Sequence, residues 1–154
     1  MMVVPALRVA VVLGLGLPLA MGCRKPSGDP VVSFDSDDPE MNGAIAESRR
    51  RWPEFLQAYE ARAPGQRFNV KYPFKVKRST KNEHIWIGVT AIRDGHVTGT
   101  IDNEPDNDIG HANGESVTVP VTGLSDWLYI PNGASEKDFA GGFTVKVVLA
   151  REKK

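Results

Sequence analysis

The chain has 154 residues, 41% of them hydrophobic and 25% charged, and its 19 basic and 19 acidic side chains cancel. That length and apolar content support one ordinary domain, and the charge balance gives no overall field for a nucleic acid partner. A single cysteine, Cys23, excludes an internal disulfide.

Arg8 is the sole charge before Cys23, and the apolar run from Val9 to Ala20 follows it. That run is shorter than the ~20 residues needed to cross a bilayer, so it reads as a signal peptide over residues 1–22. Ala20-Met21-Gly22 supplies small residues before Cys23, and Arg24-Lys25-Pro26-Ser27 turns abruptly polar. The segment resembles a bacterial lipoprotein signal, which implies lipidation at Cys23 and a membrane-anchored protein of the cell envelope; the alternatives are ordinary signal-peptidase cleavage that leaves Cys23 a free thiol, and a short uncleaved anchor. Arg24, standing where an aspartate would retain a lipoprotein at the inner membrane, implies the periplasmic side of the outer membrane in a Gram-negative organism. Residues 23–37, with Pro26, Gly28 and Pro30, read as a tether.

The expected domain runs from residue 38 to 150, with a charged tail at 151–154. Asp38-Pro39-Glu40 is a helix start: a capping acid, proline in the first turn, then an acid near the positive end of the dipole. Met41, Ile45, Trp52, Phe55, Leu56 and Tyr59 form one apolar stripe, with Pro53 kinking or restarting the helix. From Phe68 the period becomes two. Phe68, Val70, Tyr72, Phe74 and Val76 alternate with a basic face bearing Lys71, Lys75 and Lys77. Pro73 lacks a donor and places this strand at a sheet edge.

A hairpin follows, His84–Ile92 and Val97–Asn103, joined by an Asp94-Gly95 type I′ turn. A plain two-residue loop pairs Ile92 with Val97, Thr90 with Gly99, Gly88 with Ile101 and Trp86 with Asn103. His84, Trp86 and Asn103 then share one face. Val117, Val119 and Val121 form another strand, Asp126–Ile130 a short strand or turn, and Phe143, Val145, Val147 and Leu149 a closing strand. The sum is an α+β domain in which an N-terminal kinked helix packs on an antiparallel sheet of about five strands.

Four blocks in the second half have a recognisable order and spacing: Glu83-His84-Ile85-Trp86-Ile87, Gly99-Thr100-Ile101-Asp102-Asn103-Glu104-Pro105, Ser125-Asp126-Trp127-Leu128-Tyr129-Ile130 and Gly141-Gly142-Phe143-Thr144. With Glu40-Met41 and Glu54-Phe55-Leu56 they resemble the YegJ-like domain-of-unknown-function family of bacterial proteins. The resemblance implies a small single domain and brings no assigned activity.

The candidate binding residues are His84, Trp86, Asn103, Glu104, Asp126 and Trp127. No catalytic set is complete. Ser125 lacks a Gly-x-Ser-x-Gly elbow, no metal-ligand spacing such as His-x-x-x-His occurs, and the alternating acids Asp102 to Asp108 lack the glycine of a calcium loop. No metal or cofactor is expected. The reading is a lipid-anchored, non-enzymatic binding module that meets the membrane through Cys23 and an envelope protein or cell-wall polymer through the His84 face or the basic strand. The alternative is a small hydrolase or metal-dependent enzyme pairing His84 with Glu104 or Asp126. Oligomeric state is open.

Overall fold

The structure is a computed structural model and describes residues 37–153. The expected signal peptide, Cys23 and residues 24–36 of the expected tether lie outside the described residues. Three helices and a six-stranded antiparallel sheet make an α+β domain.

Helix α1 (Pro39–Arg50) opens as its sequence dictates. Asp38 Oδ1 accepts from the backbone N–H groups of Glu40 and Met41 at 3.1 and 3.2 Å. Pro53 has no N–H for the carbonyl of Arg49, so the helix ends and restarts as α2 (Trp52–Glu60) through Arg51. Phe55 and Tyr59 of α2 are buried against Phe68, and Phe55 also meets Trp127, with ring centroids 5.4 Å apart in each of these contacts. The Tyr59 hydroxyl donates to the Thr90 carbonyl at 3.1 Å.

The strands are β1 (Phe68–Lys75), β2 (Asn82–Arg93), β3 (His96–Ile101), β4 (Ser116–Pro120), β5 (Asp126–Tyr129) and β6 (Ala140–Gly141), arranged β4-β3-β2-β1-β5-β6. Val70, Ile85, Ile87, Val97, Ile101 and Val119 build the core face. Strand β1 is therefore interior, which corrects its expected place at an edge. Pro73 is tolerated because pairing with β5 ends at Lys71 opposite Asp126. Lys71 directs its carbonyl to Ser125 N–H on that side, so the donor missing two residues on at Pro73 would face a side where β5 has stopped.

The hairpin turn has Asp94 at φ 49° and Gly95 at φ 73°, as a type I′ turn requires. Ile92 pairs with Val97, but the register then slips. Thr90 is an extra residue on β2, so Val89 faces Gly99, Gly88 faces Thr100 and Ile87 faces Ile101. The bulge sends both isoleucines into the core. It also brings β2 so close that a Cβ at Gly99 would stand 2.3 Å from the Gly88 carbonyl oxygen.

Two further expectations are corrected. The sheet has six strands, and residues Phe143–Arg151 form helix α3, where alternating Phe143, Val145, Val147 and Leu149 had suggested a closing strand. Arg151, assigned to a charged tail, is the last residue of α3. Its guanidinium reaches Asp38 at 2.7 and 2.9 Å and Glu40 at 2.9 Å, fastening α3 to the start of α1. This contact, with the cap bonds, holds the Asp38 carboxyl down at about 2.

Candidate functional site

Sheet register decides which candidates meet. Across β1, Lys71 is level with Trp86 on β2 and with Asp126 on β5, Pro73 is level with His84, and Asn69 with Leu128. These residues alternate with the buried Phe68, Val70, Ile85, Ile87 and Trp127, so they occupy the sheet face opposite the core. His84, Trp86 and Asp126 thus share a face with Lys71, and Trp127 belongs to the other. Lys71 Nζ lies 4.6 Å from the centre of the Trp86 ring, a cation–π contact, and 3.4 Å from Thr144 Oγ1.

His84 Nδ1 is 2.9 Å from Ser125 Oγ. Burial, and secondarily the Lys71 charge, lowers the imidazole to about 4, so it is neutral near pH 7. A histidine bonded to a serine has the outline of a base and nucleophile. Here Ser125 is 1% exposed, and its hydroxyl is also placed to donate to the Lys71 carbonyl at 3.3 Å. The pair ties β2 to the β5 entry, and a substrate atom would have no access to Ser125.

Asp126 is fully buried and acts at a distance as the cap of α3. The residue preceding that helix is Gly142, at φ 63°, which has no side chain to offer. Asp126 Oδ1 accepts from Trp127 N–H at 2.8 Å and Phe143 N–H at 3.0 Å. Its Oδ2 accepts from Thr144 N–H at 2.8 Å and Thr144 Oγ–H at 2.6 Å. Burial pushes the carboxyl upward, while these bonds and Lys71 oppose that rise. Both oxygens are committed to folding α3, which leaves little for acid–base work with His84.

The remaining candidates disperse. Asn103 Oδ1 accepts from Trp86 N–H at 2.8 Å, ending the β2–β3 ladder with a side chain. Glu104 is exposed in the following loop. The role not foreseen is that of Glu83, 4% exposed, whose carboxylate accepts from the backbone N–H groups of Asp106 and Asn107 at 2.7 and 2.9 Å and from Asn107 Nδ2 at 2.9 Å. Its signal was present in the sequence as an acid at an inward strand position facing an Asn-rich loop. The basic strand is no continuous face: Lys71 lies over Trp86, Lys75 is exposed, and Lys77 pairs with Asp108 at 2.9 Å. Three consecutive arginines on the helices are also engaged, Arg49 with the Leu124 carbonyl, Arg50 with Glu47 and Arg51 with Glu54. Among the described residues no group of three or more His, Cys, Asp or Glu could hold a metal ion.

Recesses open at two places among the described residues. One, of about 330 Å³, is mostly apolar and runs along the seam between α1, Trp52, Val121 and Leu124. The other, of about 220 Å³, lies on the open sheet face beside Trp86 and is bordered by Arg67, Asn69, Asp102, Leu128 and Ile130.

Residues 38–153 match the family described as an uncharacterised protein conserved in bacteria, DUF2314. The chain belongs to this family. It is 36% identical over 129 residues to a putative ankyrin repeat protein of Neisseria meningitidis serogroup B, covering 79% of this chain and 49% of that protein. It is 25% identical over 121 residues to the uncharacterised protein YegJ of Escherichia coli K12, covering 79% of this chain and 74% of that one. The chain thus spans about half the length of the first of these relatives. No solved structure matches it. The family match takes in all four blocks around the sheet face, from Glu83 to Thr144, and brings no assigned chemistry with it.

Proposed function

We propose that this protein is a non-enzymatic binding module of the bacterial cell envelope, held at the membrane by a lipid on Cys23. The observation that carries the binding role is the division of labour on the sheet face. The groups capable of acid–base chemistry are spent on structure: Asp126 on α3 and His84 on Ser125. Trp86 borders an open groove on the same face. Buried, internally bonded polar groups and an accessible aromatic are the marks of a recognition surface rather than of a reaction centre. The neighbouring Lys71, Asn69, Arg67 and Asp102 give it polar contacts of both signs. The leading helical pair packs on the core face of the sheet, and the partner meets the opposite face beside Trp86.

The test is photo-crosslinking in growing bacteria from a reactive side chain at Leu128, beside the groove, with the same group at the exposed Thr118 of β4 as control. Adducts from position 128 alone, lost when Trp86→Ala is added, are the expected result. Equal labelling from both positions would remove the binding role from this face.

A further inference from the structure

We infer that the groove beside Trp86 is a saccharide subsite that takes one pyranose ring of a longer glycan; this rests on the binding-module reading and names its ligand. Four features of the groove support it. First, its floor and rim are mixed. The Trp86 indole with Leu128 and Ile130 supplies apolar surface, and Arg67, Asn69 and Asp102 supply donors and acceptors. A sugar ring has the same division, with an apolar face of C–H groups and an equatorial belt of hydroxyls. Second, the polar groups are positioned before any ligand arrives. Asn69 Nδ2 donates to Asp102 Oδ2 at 2.7 Å, bridging β1 and the end of β3, and Lys71 braces the indole from 4.6 Å. Fixed amide and carboxylate groups side by side match adjacent hydroxyls at little ordering cost. Third, among the described residues no acceptor meets the Trp86 indole N–H, and no buried side-chain polar atom lacks a partner. This donor is therefore open to solvent and available to a ring oxygen or hydroxyl.

The fourth feature is size and charge. At about 220 Å³ the groove falls below the ~300–1,000 Å³ of sites that enclose drug-sized ligands. It is half open, so a polymer can cross it with one unit seated. Arg67 pairs with Glu136 at 3.6 Å and Asp102 offsets Lys71, which leaves no net positive field and disfavours a phosphate or polyanion.

The experiment is an NMR titration of the full-length protein in detergent micelles, following the Trp86 indole N–H. The probes are the tetrasaccharides of β-1,4-linked N-acetylglucosamine and of β-1,4-linked glucose, which separate an amino-sugar source from a plain hexose one. The expected result is a saturable shift of that resonance at millimolar sugar with at least one probe. Asp102→Ala, followed on the same resonance, and Trp86→Ala, followed on the backbone N–H of Leu128, should each weaken binding by about tenfold. Two outcomes overturn the inference: no shift with either probe, or a titration that both variants leave unchanged. If sugar binding fails while a crosslinker at position 128 still captures a protein in a Trp86-dependent way, the saccharide is refuted and the binding module stands.

Discussion

Replacing Trp127 with alanine should cost about 5 kcal/mol and leave the domain largely unfolded. Trp127 is a binding candidate by sequence, yet it is 2% exposed and joins all three helices to β5. Its ring lies 5.4 Å from Phe55 of α2 and 5.2 Å from Phe143 of α3, and its indole N–H donates to the Ser48 carbonyl of α1 at 2.7 Å. Alanine would empty a cavity among these elements, a loss of about 3–5 kcal/mol for a buried tryptophan. It would also strand a buried carbonyl at a cost of about 1 kcal/mol or more. Trp127→Phe keeps most of the packing and loses the hydrogen bond, so about 1–2 kcal/mol is expected. Urea denaturation followed by circular dichroism measures both. A Trp127→Ala protein within about 1 kcal/mol of the parent would show that the residue is no keystone of the core.

Asp126→Ala should cost about 3–5 kcal/mol, the second largest effect. The substitution removes the acceptor from the backbone N–H groups of Trp127, Phe143 and Thr144 and from the Thr144 hydroxyl. No local side chain can replace it, because the residue at the helix start is Gly142. Asp126→Asn is the sharper variant. One amide oxygen can still serve Trp127 and Phe143, and the amide nitrogen can donate to a reoriented Thr144 hydroxyl. Thr144 N–H then faces an NH2 group with nothing to accept it. An intermediate cost of about 2 kcal/mol is expected, with α3 opening before the sheet in hydrogen exchange. If Asp126 were a catalytic acid held in reserve, Asn would leave stability nearly untouched.

These two residues show why part of the domain was legible in the sequence and part was not. Helix α1, its restart at Pro53, and the Asp94-Gly95 turn each rest on side chains adjacent in the chain: the Asp38 cap, a missing N–H, two positive φ angles. Helix α3 was misread because its cap lies in β5, seventeen residues away from Phe143, while its apolar residues alternate as a strand's would. The Thr90 bulge left no local signal and moved the hairpin register by one residue between Gly88 and Ile101. Sheet order is equally non-local, so Pro73 suggested an edge when the neighbouring strand merely ends early. Of the site, His84 and Trp86 were placed on one face by period alone. Lys71 joined them through the pairing of β1 with β2, Asp126 only through the pairing of β5 with β1, and Trp127 was carried to the core by that second pairing.

The claim on which the functional account depends is that this domain stands at a membrane on Cys23. Intact mass spectrometry of the protein purified from bacterial membranes tests it directly. The account predicts a mature chain beginning at Cys23 with the added mass of a diacylglyceryl group and an amide-linked acyl chain, found in the membrane fraction. A chain that begins elsewhere, or an unmodified Cys23 on a protein recovered without membranes, would contradict it.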